Sequence, residues 1–592
     1  MSRTLSFAAA PVVWLLSAAA LFAQADPLTV IPDDVLGFAV ISDLTDTNER
    51  ITTLTQKMQI PVPDVLSMAK GYLGVDKGLD EKGGLAFALM AGPEGKEVEG
   101  LAPFVIAPVT DYAAFIAPLS PEDPDAAITK ATVFGSEVLV GKKDDFAVFM
   151  LDVSNKDALE TFLAADTSVS SQVEPLKKWM GQQQLSVVVT PKGKSLLFQK
   201  LAEAMPDAED LDADADDEDA SEAEAAALAS VGQMFGMFKQ LLTAADEQLT
   251  HLAAGIRIED DATLHVAARA LFVPEGDLAQ WSKKVKAPSE GLLAGVPAGD
   301  YVLAYGGVSA HFSPAVWNAI SQLSDSGMQM MGLNDEDRKK YMQIGEKLQK
   351  GKRYTGGVLS MMRPGDSIFS TAVTVEHVDN ADEQVRLSRE MFAMLADGAK
   401  TPGNDEPMYE LSEVKVGDVE AIALVTRIDA LAEIQDGNAP GAEQFQDFFG
   451  KLFGGGNLTV YMAKATDTTV VSAYSKEQLL RGVEHVRSGA KGLESDADIA
   501  KTSAMLPAGS QWAAYLNPQG VVQMIQTFMD ALLGGQVQLP PFPETEPIGL
   551  AARVSETGLD AEIVLPESVV AGIGQFIFAV GQMFQGGQVP LP

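Results

Sequence analysis

Leu185-Ser-Val-Val-Val-Thr-Pro-Lys-Gly193-Lys-Ser-Leu-Leu-Phe198 reads as a short apolar strand, a Pro-containing turn closed by Gly, and the opening of an amphipathic helix. A near-copy stands at Gln511-Trp-Ala-Ala-Tyr-Leu-Asn-Pro-Gln-Gly520-Val-Val-Gln-Met524. The segments C-terminal to the two stretches also match. After the first come Gly255-Ile-Arg-Ile258, a turn, residues 264–272, then Val273-Pro-Glu275. After the second come Gly549-Leu-Ala-Ala552, a turn, residues 559–564, then Leu565-Pro-Glu567.

Working outward, further pieces recur in the same order. Val35-Leu-Gly-Phe-Ala-Val-Ile41, after Pro32, has the plan of Tyr301-Val-Leu-Ala-Tyr305, after Val296-Pro-Ala-Gly-Asp300. A strand over 104–110, Asp111 and a helix over 112–119 match a strand over 369–378, Asp379 and a helix over 381–395. A strand over 146–153 before a helix at 156–163 matches 469–474 before 476–486. Asp111 and Asp379 fit simple N-caps, and Ser475 with Gln478 fits a capping box. We therefore expect two tandem units, 26–287 and 288–592, arising by internal duplication.

Alternation within Leu264-His-Val-Ala-Ala-Arg-Ala-Leu-Phe272 puts Leu264, Val266, Ala268, Ala270 and Phe272 on one face and His265 and Arg269 on the other. Read as one dry and one wet face, this predicts an antiparallel sheet covered on a single side. The expected fold class is α+β: two internally duplicated domains, each a multistranded, largely antiparallel sheet with helices packed on one face. Residues 231–242, rich in Met and Phe, read as a core helix, and residues 568–584 as an apolar core or interface helix whose glutamines and glycines argue against a membrane span.

Met1-Ser-Arg3, the apolar run 7–22 and Ala23-Gln-Ala25 together read as a signal peptide over 1–25. Export to the periplasm or beyond is the expectation. The chain has no Cys, which removes thiol catalysis and thiolate metal sites. Its formal charge of -39 repels phosphate backbones, so no nucleic-acid partner is expected. Twelve acidic residues and no basic one lie between Glu203 and Glu224. The segment 203–230 is accordingly expected to be a disordered acidic loop offering weak, nonspecific association with divalent cations.

Reactive motifs fail on inspection. Gly193-Lys194-Ser195 ends like a phosphate-binding loop, but position 188 is Val where the loop needs Gly. Asp210, Asp212, Asp214 and Asp216 alternate as a calcium loop begins, yet no register supplies both the Gly and the Glu of an EF-hand. His251, His265, His311, His377 and His485 show no metal-ligand spacing, and Gly307-Val-Ser309-Ala-His311 falls short of a nucleophile elbow. No catalytic, cofactor or metal residue is assigned, and no cofactor is expected.

The signal peptide, the strand openings after Val-Pro or Leu-Pro, the helix start Val109-Thr-Asp-Tyr112 and the paired strand-turn-strand endings resemble the large exported proteins of unknown function typical of planctomycete bacteria. That resemblance implies an exported protein with no assigned catalytic residues. The function expected is therefore that of a non-catalytic binding or structural protein of the bacterial cell envelope, with an unknown protein or envelope partner. The alternative is a carboxylate-dependent hydrolase with a cleft between the halves, since Asp and Glu number 82 and such pairs are set by distance, not sequence.

Overall fold

Gly37–Ile41 (β1), Leu85–Met90 (β2), Ala102–Pro108 (β3), Ile128–Val133 (β4), Ser136–Lys143 (β5), Phe146–Met150 (β6), Leu185–Val189 (β7) and Leu249–Ile258 (β8) are short runs rich in β-branched and aromatic residues, the composition that favours a pleated surface. They belong to a computed structural model describing residues 25–585 apart from 92–100, 207–221, 310–320, 362–366, 400–406, 428–456, 534–536 and the single positions 63, 74, 76, 290, 322, 323, 326, 327, 330, 331 and 368. Residues 1–24 of the stretch read as a signal peptide (1–25), most of the acidic stretch and His311 lie outside the described residues.

The chain divides into two compact units. The first takes the chain up to Gln56, Ile60–Lys194 and His251–Ala262; the second takes Lys57–Gln59, Ser195–Thr250 and Thr263–Pro592.

In the first unit the strands pair antiparallel in the order β4-β5-β6-β3-β2-β1-β7-β8. Phe38, Val40, Ala88, Phe104, Ile106 and Val188 are buried on one face. Two helices cover it. Phe162 of the helix Lys156–Ala164 lies 4.6 Å from Phe104, and Trp179 of the helix Glu174–Met180 sits over Gly255. On the opposite face, at the β3–β6 end, Phe115 and Ile116 of the helix Tyr112–Ile116 pack with Ala107, Val140 and Phe149. Helices in this unit are thus not confined to one side of the sheet, as the sequence suggested.

The second unit contains Leu264–Phe272 (β9), Tyr301–Val308 (β10), Lys352–Ser360 (β11), Ala372–Val378 (β12), Tyr409–Val416 (β13), Val419–Thr426 (β14), Leu458–Thr466 (β15), Thr469–Ala473 (β16), Trp512–Leu516 (β17), Ile548–Ser555 (β18) and Gly558–Leu565 (β19). All pair antiparallel, in the order β13-β14-β15-β16-β12-β11-β10-β17-β18-β19-β9. Its core joins Ala304, Val358, Val373, Val471 and Ala513 of the sheet to Leu479 and Val483 of the helix Lys476–Ser488 and Ile499 of the helix Ala497–Met505.

Caps largely follow the sequence. Asp111 accepts from the Ala114 N–H at 3.0 Å, and the Ser475 hydroxyl accepts from Gln478 N–H at 3.3 Å. The Gln478 side chain meets Arg481 instead of completing the box. The cap expected at Asp379 falls one residue later, where Asn380 accepts from the Glu383 N–H at 3.1 Å. The helix Glu222–Gln248 takes in the last residues of the segment expected to be a loop. A helix does form at Glu567–Gln585, and among the described residues no helix is long and apolar enough to cross a membrane.

Candidate functional site

The turns at 190–193 and 517–520 are built alike. The Thr190 N–H donates to the Leu36 carbonyl at 3.1 Å while the Thr190 hydroxyl accepts from the Gly193 N–H at 3.2 Å. In the second unit the Asn517 N–H donates to the Val302 carbonyl at 2.9 Å and the Asn517 side chain accepts from the Gly520 N–H at 3.2 Å. Each helix begins with proline, whose missing N–H is one a helix leaves unused there. A Cβ on Gly193 would stand 1.7 Å from the Leu36 carbonyl oxygen, so this glycine exists for backbone contact and not to wrap phosphate. Lys194 is itself buried.

These turns follow β7 and β17, both interior strands of their sheets, and there the outer faces are not the polar ones expected of a sheet covered on a single side. In the first unit the row Phe87, Ala39, Val187, Ala254 runs across β2, β1, β7 and β8. Beside it run Leu85, Ile41, Leu185 and Ile256. None of these side chains is buried: Phe87 is 45% exposed and Val187 41%. None can form a hydrogen bond. A half-solvated antiparallel sheet ordinarily alternates apolar and polar residues, and here the water-facing set is apolar.

The second unit repeats the pattern. Tyr305, Ala514, Leu550, Ile563 and Val266 form one row across β10, β17, β18, β19 and β9, with Ile563 39% and Val266 40% exposed. Val266 and Ala268 thus face solvent, whereas His265 and Ala267 are buried, which reverses the expected faces over this part of β9; Phe272 at its end is buried as expected, against Ala279 and Val554. The cause is charge pairing across the ladder. His265 Nδ1 lies 2.6 Å from Glu562 Oε1; Asp560 accepts from Arg269 Nε at 2.5 Å and from Arg553 Nη2 at 2.6 Å. Partners from β19 and β18 let the polar side of β9 turn inward.

Polar cavities exist, and several of their acidic groups are engaged. One of about 630 Å³ in the second unit is bordered by Asp300, Asp496, Asp498, Glu544 and Glu546. Asp496 caps a helix by accepting from the Asp498 and Ile499 N–H groups, at 2.9 and 3.0 Å, and Asp498 meets Lys501 at 2.8 Å. The Ser568 hydroxyl donating to Glu546, with Lys501 nearby, holds that carboxyl below the usual glutamate range despite partial burial. A general acid for glycoside hydrolysis needs the opposite shift.

The histidines are dispersed. His377 and His485 border one cavity of about 530 Å³, where His377 stacks on Tyr354 and meets the Ala294 carbonyl at 3.0 Å. Among the described residues no group of three or more His, Asp or Glu is placed to hold a metal ion.

His251 is buried in the first unit with both ring nitrogens unpartnered, and burial, then the Lys194 charge, push its pKa down. The unfolded chain therefore takes up a proton that the fold refuses. Stability from this group is fully present above the unfolded pKa of about 6.5, falls as the pH drops below it, and levels off under the folded pKa. Replacement by an apolar residue of similar size, His251→Leu, is expected to flatten the decline in urea midpoint between pH 7 and pH 5. An unchanged slope would place the acid sensitivity elsewhere.

Comparison with protein-family models, with curated proteins and with solved structures returns no match.

Proposed function

We propose that the chain is a non-catalytic binding protein of the bacterial cell envelope, exported by its N-terminal signal, which works through the apolar outer faces of its sheets. The observation that carries this reading is the row Phe87, Ala39, Val187 and Ala254, open to solvent and without a polar group. The largest contiguous apolar patch on a soluble protein is often a functional surface. The engagement of Asp496, Asp498 and Glu546 with helix N–H groups, Lys501 and Ser568 favours binding over the hydrolase alternative.

Tandem duplication belongs to the same proposal. Its support is the common order of six neighbouring strands, β6-β3-β2-β1-β7-β8 in one unit and β16-β12-β11-β10-β17-β18 in the other, together with the matching turn hydrogen bonds at Gly193 and Gly520. Duplication would give the protein two related faces.

The test uses Nile red, a neutral dye that the acidic surface does not repel. The native chain is expected to enhance its fluorescence, and the double variant Val187→Asp, Ile563→Asp to lose most of that signal. Both positions are exposed, so the unfolding midpoint should hold. A variant that folds and binds dye as the native chain does would refute the reading.

A further inference from the structure

We infer that the occupant of the β2-β1-β7-β8 face is the hydrocarbon chain of a lipid with a neutral or zwitterionic headgroup. This rests on reading the face as a binding surface, and it narrows the ligand by three properties.

The first is chemistry. Every outward side chain along the paired stretches of these strands, from Leu85 to Ile256, is aliphatic, glycine or the single aromatic Phe87. The backbone donors and acceptors of the two central strands are taken up in ladders on both sides. Such a surface offers contact without hydrogen bonding, and a chain of methylene groups asks for nothing else. The anchors that concentrate binding energy in protein interfaces are Trp, Tyr and Arg, and none lies on this face.

The second is area. Four strands spaced about 4.8 Å apart, each with five residues at about 3.3 Å per residue, make a face of roughly 300 Å², and its Leu85 corner is packed against the cluster around Phe115 and Phe149. A stable protein complex buries about 800 Å² on each partner. The face is too small to hold a second copy of the chain by itself, and wide enough for an acyl chain laid along it.

The third is charge. Bringing two copies together would juxtapose chains of formal charge -39 each. The same field disfavours anionic headgroups, which is why the lipid should be neutral or zwitterionic.

The experiment incubates the mature chain at low salt with phosphatidylcholine vesicles carrying a pyrene-labelled phosphatidylcholine. Protein is then separated from vesicles and the lipid per chain measured, with phosphatidylglycerol vesicles carrying a pyrene-labelled phosphatidylglycerol in parallel. Lipid should leave the phosphatidylcholine vesicles with the native protein, at least tenfold less with Val187→Asp or Phe87→Ser, and less again from phosphatidylglycerol. Two variants guard against one misfolding. Equal uptake from both vesicle types overturns the headgroup assignment. Absence of lipid while Nile red binding is still lost in Val187→Asp overturns the lipid assignment but leaves the face as a binding surface. A concentration-dependent dimer broken by Val187→Asp would make the occupant a second copy.

Discussion

Asp560→Asn is expected to destabilise the second unit by about 3–5 kcal/mol, the range for breaking a buried ion pair by removing one partner. Asp560 is the hub of the β18-β19-β9 ladder. Its carboxylate receives Arg269 from one neighbouring strand and Arg553 from the other, and its side chain is only 13% exposed. An amide of the same shape keeps the packing but neutralises the charge, leaving two guanidinium groups facing one another with Arg269 largely withdrawn from water. That residual cost decides the outcome, because the desolvation of the arginines is not recovered. Burial pushes the Asp560 carboxyl up, yet the hydrogen bonds and charges of Arg269 and Arg553 outweigh it and the net pKa lies below the ordinary range. A carboxyl depressed in the fold contributes stability above its unfolded pKa, about 3.9, and that contribution is lost as pH falls through the folded value. Urea titrations at pH 7 should therefore show the large deficit, and titrations near pH 2 a much smaller one. A loss below 1 kcal/mol at pH 7 would mean that the ladder is held by its apolar neighbours alone.

The same ladder shows where sequence reasoning stopped. The alternation in β9 was visible, and so was its period of two, but period alone cannot say which of two faces is buried. His265 and Arg269 look like the wet side until Glu562 and Asp560 arrive from almost three hundred residues further along the chain. Long-range pairing is what makes a charged face interior, and nothing local announces it. The antiparallel mixed fold, by contrast, could be read from short apolar runs and turn residues, because these are decided within a dozen residues. The candidate site is also present in the sequence, but only as a property of several strands taken together. Gly37-Phe-Ala-Val-Ile41 and Leu85-Ala-Phe-Ala-Leu-Met90 are apolar at every position, a pattern that demands cover on both faces. Taken strand by strand they pass for core. Only when β1, β2, β7 and β8 are placed side by side, with Phe87 and Val187 open to solvent, does the unbroken run of apolar residues become a surface.

Gly193→Ala is expected to destabilise the first unit by at least about 3 kcal/mol, at the upper end of the range for overpacking. The added methyl would lie 1.7 Å from the Leu36 carbonyl oxygen and 2.5 Å from its carbon, both backbone atoms of the segment entering β1. No rotamer relieves such a contact. The helix Pro191–Glu203 must move off the strand, and the hydrogen bond from the Gly193 N–H to the Thr190 hydroxyl goes with it. Gly520→Ala is the informative companion. There the nearest atoms are the Tyr301 carbonyl oxygen at 2.9 Å and the Val302 Cα at 3.0 Å, so a shift of a few tenths of an ångström suffices. Alanine is favoured over glycine in a helix by up to about 1 kcal/mol, which offsets part of that smaller strain. The Gly520 variant should therefore lose no more than about 1–2 kcal/mol, measured by the same urea titrations. Equal losses at the two glycines would show that local helix propensity, not approach of helix to strand, governs both turns. A large loss at Gly193 with a small one at Gly520 would mean that one turn design is held at two tightnesses, with the first unit closer to the limit of its backbone packing.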